Sequence, residues 1–199
     1  MNWFLVSANV KTIYRQSILQ GRAALNASDI TQLSESILKL AHKGLDISTC
    51  EALGGYFAAN NEVSIEAIIK TRLQKKLTTT FPVISSNQSM AMVNPENLKK
   101  LSKNKFNILE PVSGNEVLPM EHDMIIVPTV GVDKNGFRVG YGGGYYDRLL
   151  KPILDRKNRP LIIGLVYDFQ LIDDLINEEH DIKLDVVVTE KQVINFTKF

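Results

Sequence analysis

Cysteine occurs once, at Cys50, in a chain of 199 residues. A lone thiol excludes a disulfide framework and a cysteine-based zinc site. Histidine is nearly as scarce: His42, His122 and His180 stand apart and form neither H-E-x-x-H nor H-x-E. Each reads as a surface or packing residue. Neither charge dominates, since 23 Lys and Arg face 22 Asp and Glu for a net charge of +1. No broad field therefore argues for a nucleic-acid or membrane partner. No apolar run approaches the length of a membrane span. The segment from Met1 to Val10 is mildly apolar but has no basic n-region and no long apolar core, so it does not read as a signal peptide. Internal repeats, low-complexity tracts and linkers are also missing. Residues 1–199 read as one cytoplasmic domain, a monomer or weak dimer, long enough to bury a sizeable core.

What the chain does have is glycine in one place. Arg138-Val139-Gly140-Tyr141-Gly142-Gly143-Gly144-Tyr145-Tyr146-Asp147-Arg148 follows an apolar run, Met124 to Val127, and leads into a helix-compatible run, Tyr145 to Leu150. Glycine admits positive φ and lets backbone amides approach a ligand with no Cβ in the way. A row of such amides ahead of a helix makes a nest for an anion. The same glycines would equally serve a tight surface turn. The spacing matches neither G-x-x-x-x-G-K-[ST] nor G-x-G-x-x-G, so the stretch is neither a Walker loop nor a dinucleotide fingerprint.

Helical periodicity covers about Ser7 to Leu25, with Val10, Ile13, Tyr14, Ile18 and Leu25 on one arc. Lys11, Arg15 and Arg22 gather along its edge, as a solvated basic face or as cations aimed at a polyphosphate. A second helix is capped by Ser28, carries Ile30, Leu33, Ile37 and Leu40, and ends at Gly44. Ala52 to Ala58 reads as a short buried strand, and Glu62 to Lys75 as a helix with Ile65, Ile68, Ile69 and Leu73 inward. Glu62 thus stands between strand and helix, where ligands gather in open α/β sheets. A first-turn carboxylate also simply suits the helix dipole. Thr78 to Val83 and Ser89 to Val93 read as strands, with Met90 and Met92 sharing a face. Asn94 to Asn107 reads as a turn with a short helix. Leu161 to Val166 and Leu184 to Thr189 are apolar enough for strands covered on both sides. Asp185, beside four apolar residues, must lie at a strand end, be hydrogen-bonded or meet a cation. His180-Asp181 could pass for a dyad, although neighbours on a loop rarely face each other. Helices alternating with apolar strands predict a three-layer α/β/α sandwich with a mainly parallel sheet.

Val127-Pro128, Asp133, Gly136, Arg138 and the run from Gly140 to Arg148 resemble the signature of 5-formyltetrahydrofolate cyclo-ligases, also called methenyltetrahydrofolate synthetases. The likeness extends over most of the chain and is strong from about Asp123 to Arg148. It implies ATP- and Mg²⁺-dependent closure of 5-formyltetrahydrofolate to 5,10-methenyltetrahydrofolate, with no side-chain nucleophile. By the same resemblance, Lys11, Arg15, Arg138, Val139, Gly140, Tyr141, Gly142, Gly143, Gly144, Tyr145 and Tyr146 would hold ATP. Phe57, Glu62 and Tyr145 would hold the folate, Asp147 and Asp185 the metal, and Arg138, Tyr145 and Asp147 would act in catalysis. Glu110-Pro111 resembles a pair common in that family, with no role that the sequence supplies. Two departures stand out: Thr129 where the family has glycine, and Val132 where it has phenylalanine. A sugar-phosphate isomerase and a non-catalytic nucleotide or folate sensor are the rival readings.

Overall fold

The computed structural model describes residues 3–85, 89–173 and 181–197, and in the first helix the side chains from Val10 onward. Helix α1 spans Trp3–Ala23 and α2 Ala27–Gly44. The cap of α2 is Asn26, two residues ahead of Ser28. Its side chain accepts from the Asp29 amide at 2.9 Å, and the Asp29 carboxylate accepts from the Asn26 amide at 3.2 Å. This reciprocal box satisfies two backbone donors that a helix start otherwise leaves open.

Strand β1, Ala52–Gly54, is shorter than its apolar surroundings suggest. Helix α3 is Glu66–Gln74, and β2 is Thr78–Ile84. Glu62 therefore lies in a turn before α3, outside its first helical turn. Leu73, expected inward, is 46% exposed. Strands β3 Met90–Pro95, β4 Leu101–Lys103, β5 Leu109–Pro111 and β6 Gly114–Val117 follow. The expected short helix after Asn94 is instead an extended return: β4 and β5 pair antiparallel around a turn at Asn107, φ 62°. The chain continues through β7 Met124–Ile126, β8 Gly131–Asp133, β9 Arg138–Val139 and α4 Tyr145–Leu150. It closes with β10 Leu161–Leu165, β11 Leu171–Ile172, β12 Val186–Val188 and β13 Val193–Asn195.

Eight strands form one sheet in the order β13-β12-β10-β7-β1-β2-β3-β6. The five central strands, β12 to β2, are parallel, and the flanking pairings are antiparallel. Alternation along each strand divides the core into two layers. Ile126, Ile163, Leu165, Val186 and Val188 face α2 and α3 with Ile37, Leu38, Ile65 and Ile68. Ile125, Val127, Ile162, Val166 and Val187 face the opposite way, toward α4 with Tyr146 and Leu150. Each such Ile or Val, buried on folding, contributes roughly 1.5–3 kcal/mol. The mainly parallel sheet with helices on both faces is the architecture that the sequence pattern predicts.

A smaller sheet, β11-β8-β9, stands beside the main one and carries the glycine turn. Helix α1 docks there through Ile18, which packs with Val130 and Val139. That contact fixes which way the polar edge of α1 points.

Candidate functional site

Parallel strands all end on the same rim, and ligands of open α/β sheets sit there because loops diverge and backbone groups come free. A cavity of about 670 Å³ lies at the carboxyl ends of β1, β2 and β7. Its wall takes residues from distant parts of the chain: Lys11 and Arg15 from α1, Phe57 and Glu62 after β1, Pro82, Ile84 and Met90 from β2 and β3, Phe106 and Glu110 from the β4–β5 hairpin, Pro128 after β7, Arg138 to Asp147, and Asp181.

The glycine turn forms one side. Gly142 at φ 96° and Gly144 at φ 65° adopt the left-handed region, so side chains at either position would be strained. Helix α1 meets the turn directly: Arg15 Nε donates to the Gly140 carbonyl at 2.8 Å. Burial lowers the pKa of the Arg15 guanidinium without removing its charge. Lys11, one helical turn earlier, is 2.5 Å from Asp181. Arg22, the third cation of that edge, does not line the cavity. It is 1% exposed and donates to the carbonyls of Ala59 and Asn60 behind it. Arg148 also stays out of the cavity and holds the Gly143 carbonyl at 3.0 Å.

Arg138 organises before it binds anything. Its Nη2 reaches both Asp147 oxygens at 3.0 Å, and its Nη1 donates to the Pro128 carbonyl. Arg138 Nε and Tyr146 Oη are buried with no hydrogen-bond partner. A buried donor left unmade is costly, and these two belong to residues that line the cavity. Val139 anchors the turn to Ile18, and Tyr145 stands edge-on to Phe106 at 5.9 Å.

The opposite side is built on Glu62. Its Oε2 accepts from the Ala59 amide at 2.9 Å, and its Oε1 accepts from the Tyr141 hydroxyl at 2.7 Å. Burial raises the Glu62 carboxyl above its ordinary value, opposed by nearby Arg22 and by these hydrogen bonds. The Arg22–Glu62 separation is 4.0 Å. Phe57 stacks on Phe81 at 4.3 Å, giving an apolar shelf beside the carboxylate.

Asp185, expected to share a metal with Asp147, does not join it. Arg159 grips both its oxygens at 2.6 and 2.8 Å, and the Ile162 amide donates to it at 2.8 Å. Asp185 precedes β12 and so sits at the amino end of the sheet, one strand length from the cavity. The carboxylate that does arrive is Asp181, about 13 Å upstream along extended chain at 3.3 Å per residue. The stretch between them runs antiparallel to Gly136–Arg138, with Phe137 bridging Lys183. No local pattern in the sequence announces that return. Among the described residues, no group of three or more His, Cys, Asp or Glu is arranged as a metal cage. The donors present are carboxylates, which fit magnesium shared with phosphate oxygens and do not form a closed protein site.

Glu110 receives a physical account. It accepts from the Ile84 amide at 3.0 Å and from Asn104 Nδ2 at 2.7 Å, tying the β4–β5 hairpin to the end of β2. That tie brings Phe106 to the cavity, a contact that the sequence reading missed. Thr129 and Val132 lie behind the wall: the Thr129 hydroxyl donates to the Val127 carbonyl at 2.8 Å, and Val132 is 0% exposed. His42 and His122 hydrogen-bond within loops and helix ends. His180 lies outside the described residues, so the His180-Asp181 pair is described only at Asp181.

A profile of the 5-formyltetrahydrofolate cyclo-ligase family matches residues 7–190. The chain is 31% identical to a mitochondrial 5-formyltetrahydrofolate cyclo-ligase of Arabidopsis thaliana, over 94% of this chain and 76% of that protein. It is 30% identical to the cyclo-ligase of Haemophilus influenzae, over 87% and 95% of the two chains. Among solved structures, a 5,10-methenyltetrahydrofolate synthetase of Aquifex aeolicus superposes with a TM-score of 0.81 at 29% identity, covering 96% and 94%. A synthetase of Mycoplasma pneumoniae gives 0.72 at 26% identity, covering 90% and 98%.

Proposed function

Since this chain belongs to the 5-formyltetrahydrofolate cyclo-ligase family, we propose that it is an ATP-dependent ligase that closes 5-formyltetrahydrofolate to 5,10-methenyltetrahydrofolate. The observation that carries the reading is convergence. Cations of α1, the glycine turn and the Glu62–Phe57 shelf line one cavity, although the chain carries them from its first helix to beyond its middle.

An amide-like oxygen is a poor leaving group. Its transfer to phosphorus makes it a good one, and ATP is needed for that. The formyl oxygen attacks the γ-phosphorus and ADP departs. The neighbouring folate nitrogen then attacks the formyl carbon and gives up its proton, the C–O bond breaks, and phosphate leaves with that proton available to it. The protein's part is alignment and charge stabilisation. Lys11, Arg15, Arg138 and the amides from Gly140 to Tyr146 hold the triphosphate. Glu62, Phe57 and Tyr145 hold the folate, with the carboxylate facing the donor edge of the pterin. Magnesium would be held by Asp147, with Asp181 in place of Asp185, and by the phosphates; it would offset charge growing between the β- and γ-phosphates. The unpartnered Arg138 Nε and Tyr146 Oη are further donors for a developing anion. Residues 1–199 act in this reading as one domain, a cytoplasmic monomer or weak dimer without nucleic-acid or membrane partners. Among the described residues no helix is long and apolar enough to cross a membrane.

The test is to incubate purified protein with 5-formyltetrahydrofolate, ATP and Mg²⁺ and follow the methenyl product by absorbance. Product is expected only with ATP present. Product without ATP would contradict the phosphorylation step, and no product would return the site to a sensor or an isomerase.

A further inference from the structure

Tyr141 is the one side chain of the glycine turn that reaches the carboxylate across the cavity. It projects from between Gly140 and Gly142, and its hydroxyl donates to Glu62 Oε1 at 2.7 Å. The Arg22 guanidinium lies 5.7 Å from the Tyr141 ring centroid, on the far side from the cavity. The other Glu62 oxygen is held by its own loop through the Ala59 amide. The carboxylate is thus fixed by two bodies, one being the substrate loop and the other the nucleotide turn. The turn is itself tied to α1 through Arg15 and Gly140.

We propose that the Tyr141 hydroxyl is a positioning group that couples the two half-sites, so that folate bound at Glu62 steadies the glycine turn in the position that holds the nucleotide. The inference rests on the functional reading above and adds a linkage that the reading does not require. A carboxylate oxygen accepts two hydrogen bonds, so a pterin N–H can join Tyr141 on Oε1 without displacing it. A folate bound there adds a further hold on Glu62, Glu62 holds Tyr141, and Tyr141 holds the turn beside the triphosphate. By linkage, the nucleotide must favour folate by the same factor. Burial raises the phenol of Tyr141, which keeps its proton on the hydroxyl that donates to Glu62.

The experiment measures binding in both orders by calorimetry, using 5-formyltetrahydrofolate, a non-hydrolysable ATP analogue and Mg²⁺. In the wild type each ligand is expected to tighten the other by about fivefold or more, the usual lower range for such coupling. In Tyr141→Phe the factor should fall below about twofold. The ring is retained and 39% exposed, so the variant keeps its fold. An unchanged factor in Tyr141→Phe, or no mutual effect in the wild type, would overturn the coupling. Failure of the wild type to bind either ligand would overturn the functional reading, and the coupling with it.

Discussion

The two ends of the parallel sheet handle charge in opposite ways. At the amino end Arg72 is 0% exposed and pairs with no carboxylate among the described residues, yet it donates to the carbonyls of Ile47, Cys50, Glu51 and Thr78 and to the Thr79 hydroxyl. Asp123 accepts from the Ala52 amide, and Asp185 is gripped by Arg159 and the Ile162 amide. Each of these groups has partners within the protein. At the carboxyl end, Arg138 Nε and Tyr146 Oη have none. The difference separates buried groups whose donors are all engaged from buried groups with a donor to spare, and burial alone does not distinguish them.

The sharpest way to break that division is Arg72→Met. Four carbonyls would lose a charged donor, so we expect a loss of about 4 kcal/mol or more in denaturant unfolding. The Michaelis constants of the surviving folded fraction should not change. A shift in either constant would show that the amino end belongs to the site after all. Asp147→Asn should act mainly on turnover, lowering kcat by about a hundredfold and blunting the response to Mg²⁺, with a stability loss of about 2 kcal/mol because Arg138 then faces a neutral group. Full magnesium-supported turnover in that variant would remove Asp147 from the machinery. Asp185→Asn keeps the size and one acceptor but leaves Arg159 facing a neutral group. It should cost about 2 kcal/mol of stability and leave the magnesium dependence of turnover unaltered. A changed magnesium requirement would reverse its assignment to the amino end.

The smallest effect lies in pH. Because burial raises the Glu62 carboxyl, the folded state penalises its charge, and that cost appears as pH rises above the ordinary carboxylate value of about 4.3. Wild type should therefore gain stability relative to Glu62→Gln as pH falls from 7 toward 5, read as a narrowing or reversal of the difference in melting temperature. The opposite slope would mean that Arg22 outweighs desolvation at this position. Folate use should suffer in the variant while ATP binding is largely kept.

The sheet was legible because its signals are local. The uninterrupted apolar runs from Leu161 to Val166 and around Val186 to Val188 need only a short window, as does the glycine turn. Arg15 and Lys11 were placed by helical spacing on a common edge, and that edge reaches the turn. What stayed hidden depends on chain return. Asp181 and Asp185 look alike in sequence, and only the antiparallel run beside Phe137 sends one to the cavity and the other to Arg159. Tyr141 was read as a supplier of backbone amides, because nothing near it in sequence names Glu62 as a partner. Polar character made Asn94 to Asn107 look helical, whereas Glu110 on Asn104 and Ile84 fastens it as a hairpin. The cap of α2 was missed by two residues for a simpler reason, since Asn26 and Ser28 are both competent and only Asn26 has Asp29 three residues on.

The way α1 docks has a consequence for the chain as an assembled object. From Val10 onward the helix meets the remainder through Tyr14, Ile18 and Leu19 and through Arg22, and it delivers two of the cations around the cavity. No fragment cut from either side of the middle would inherit a working cleft. A shortened chain beginning after Ala23 could keep its sheet and remain inert, and a separate peptide spanning α1 could restore turnover without a covalent join.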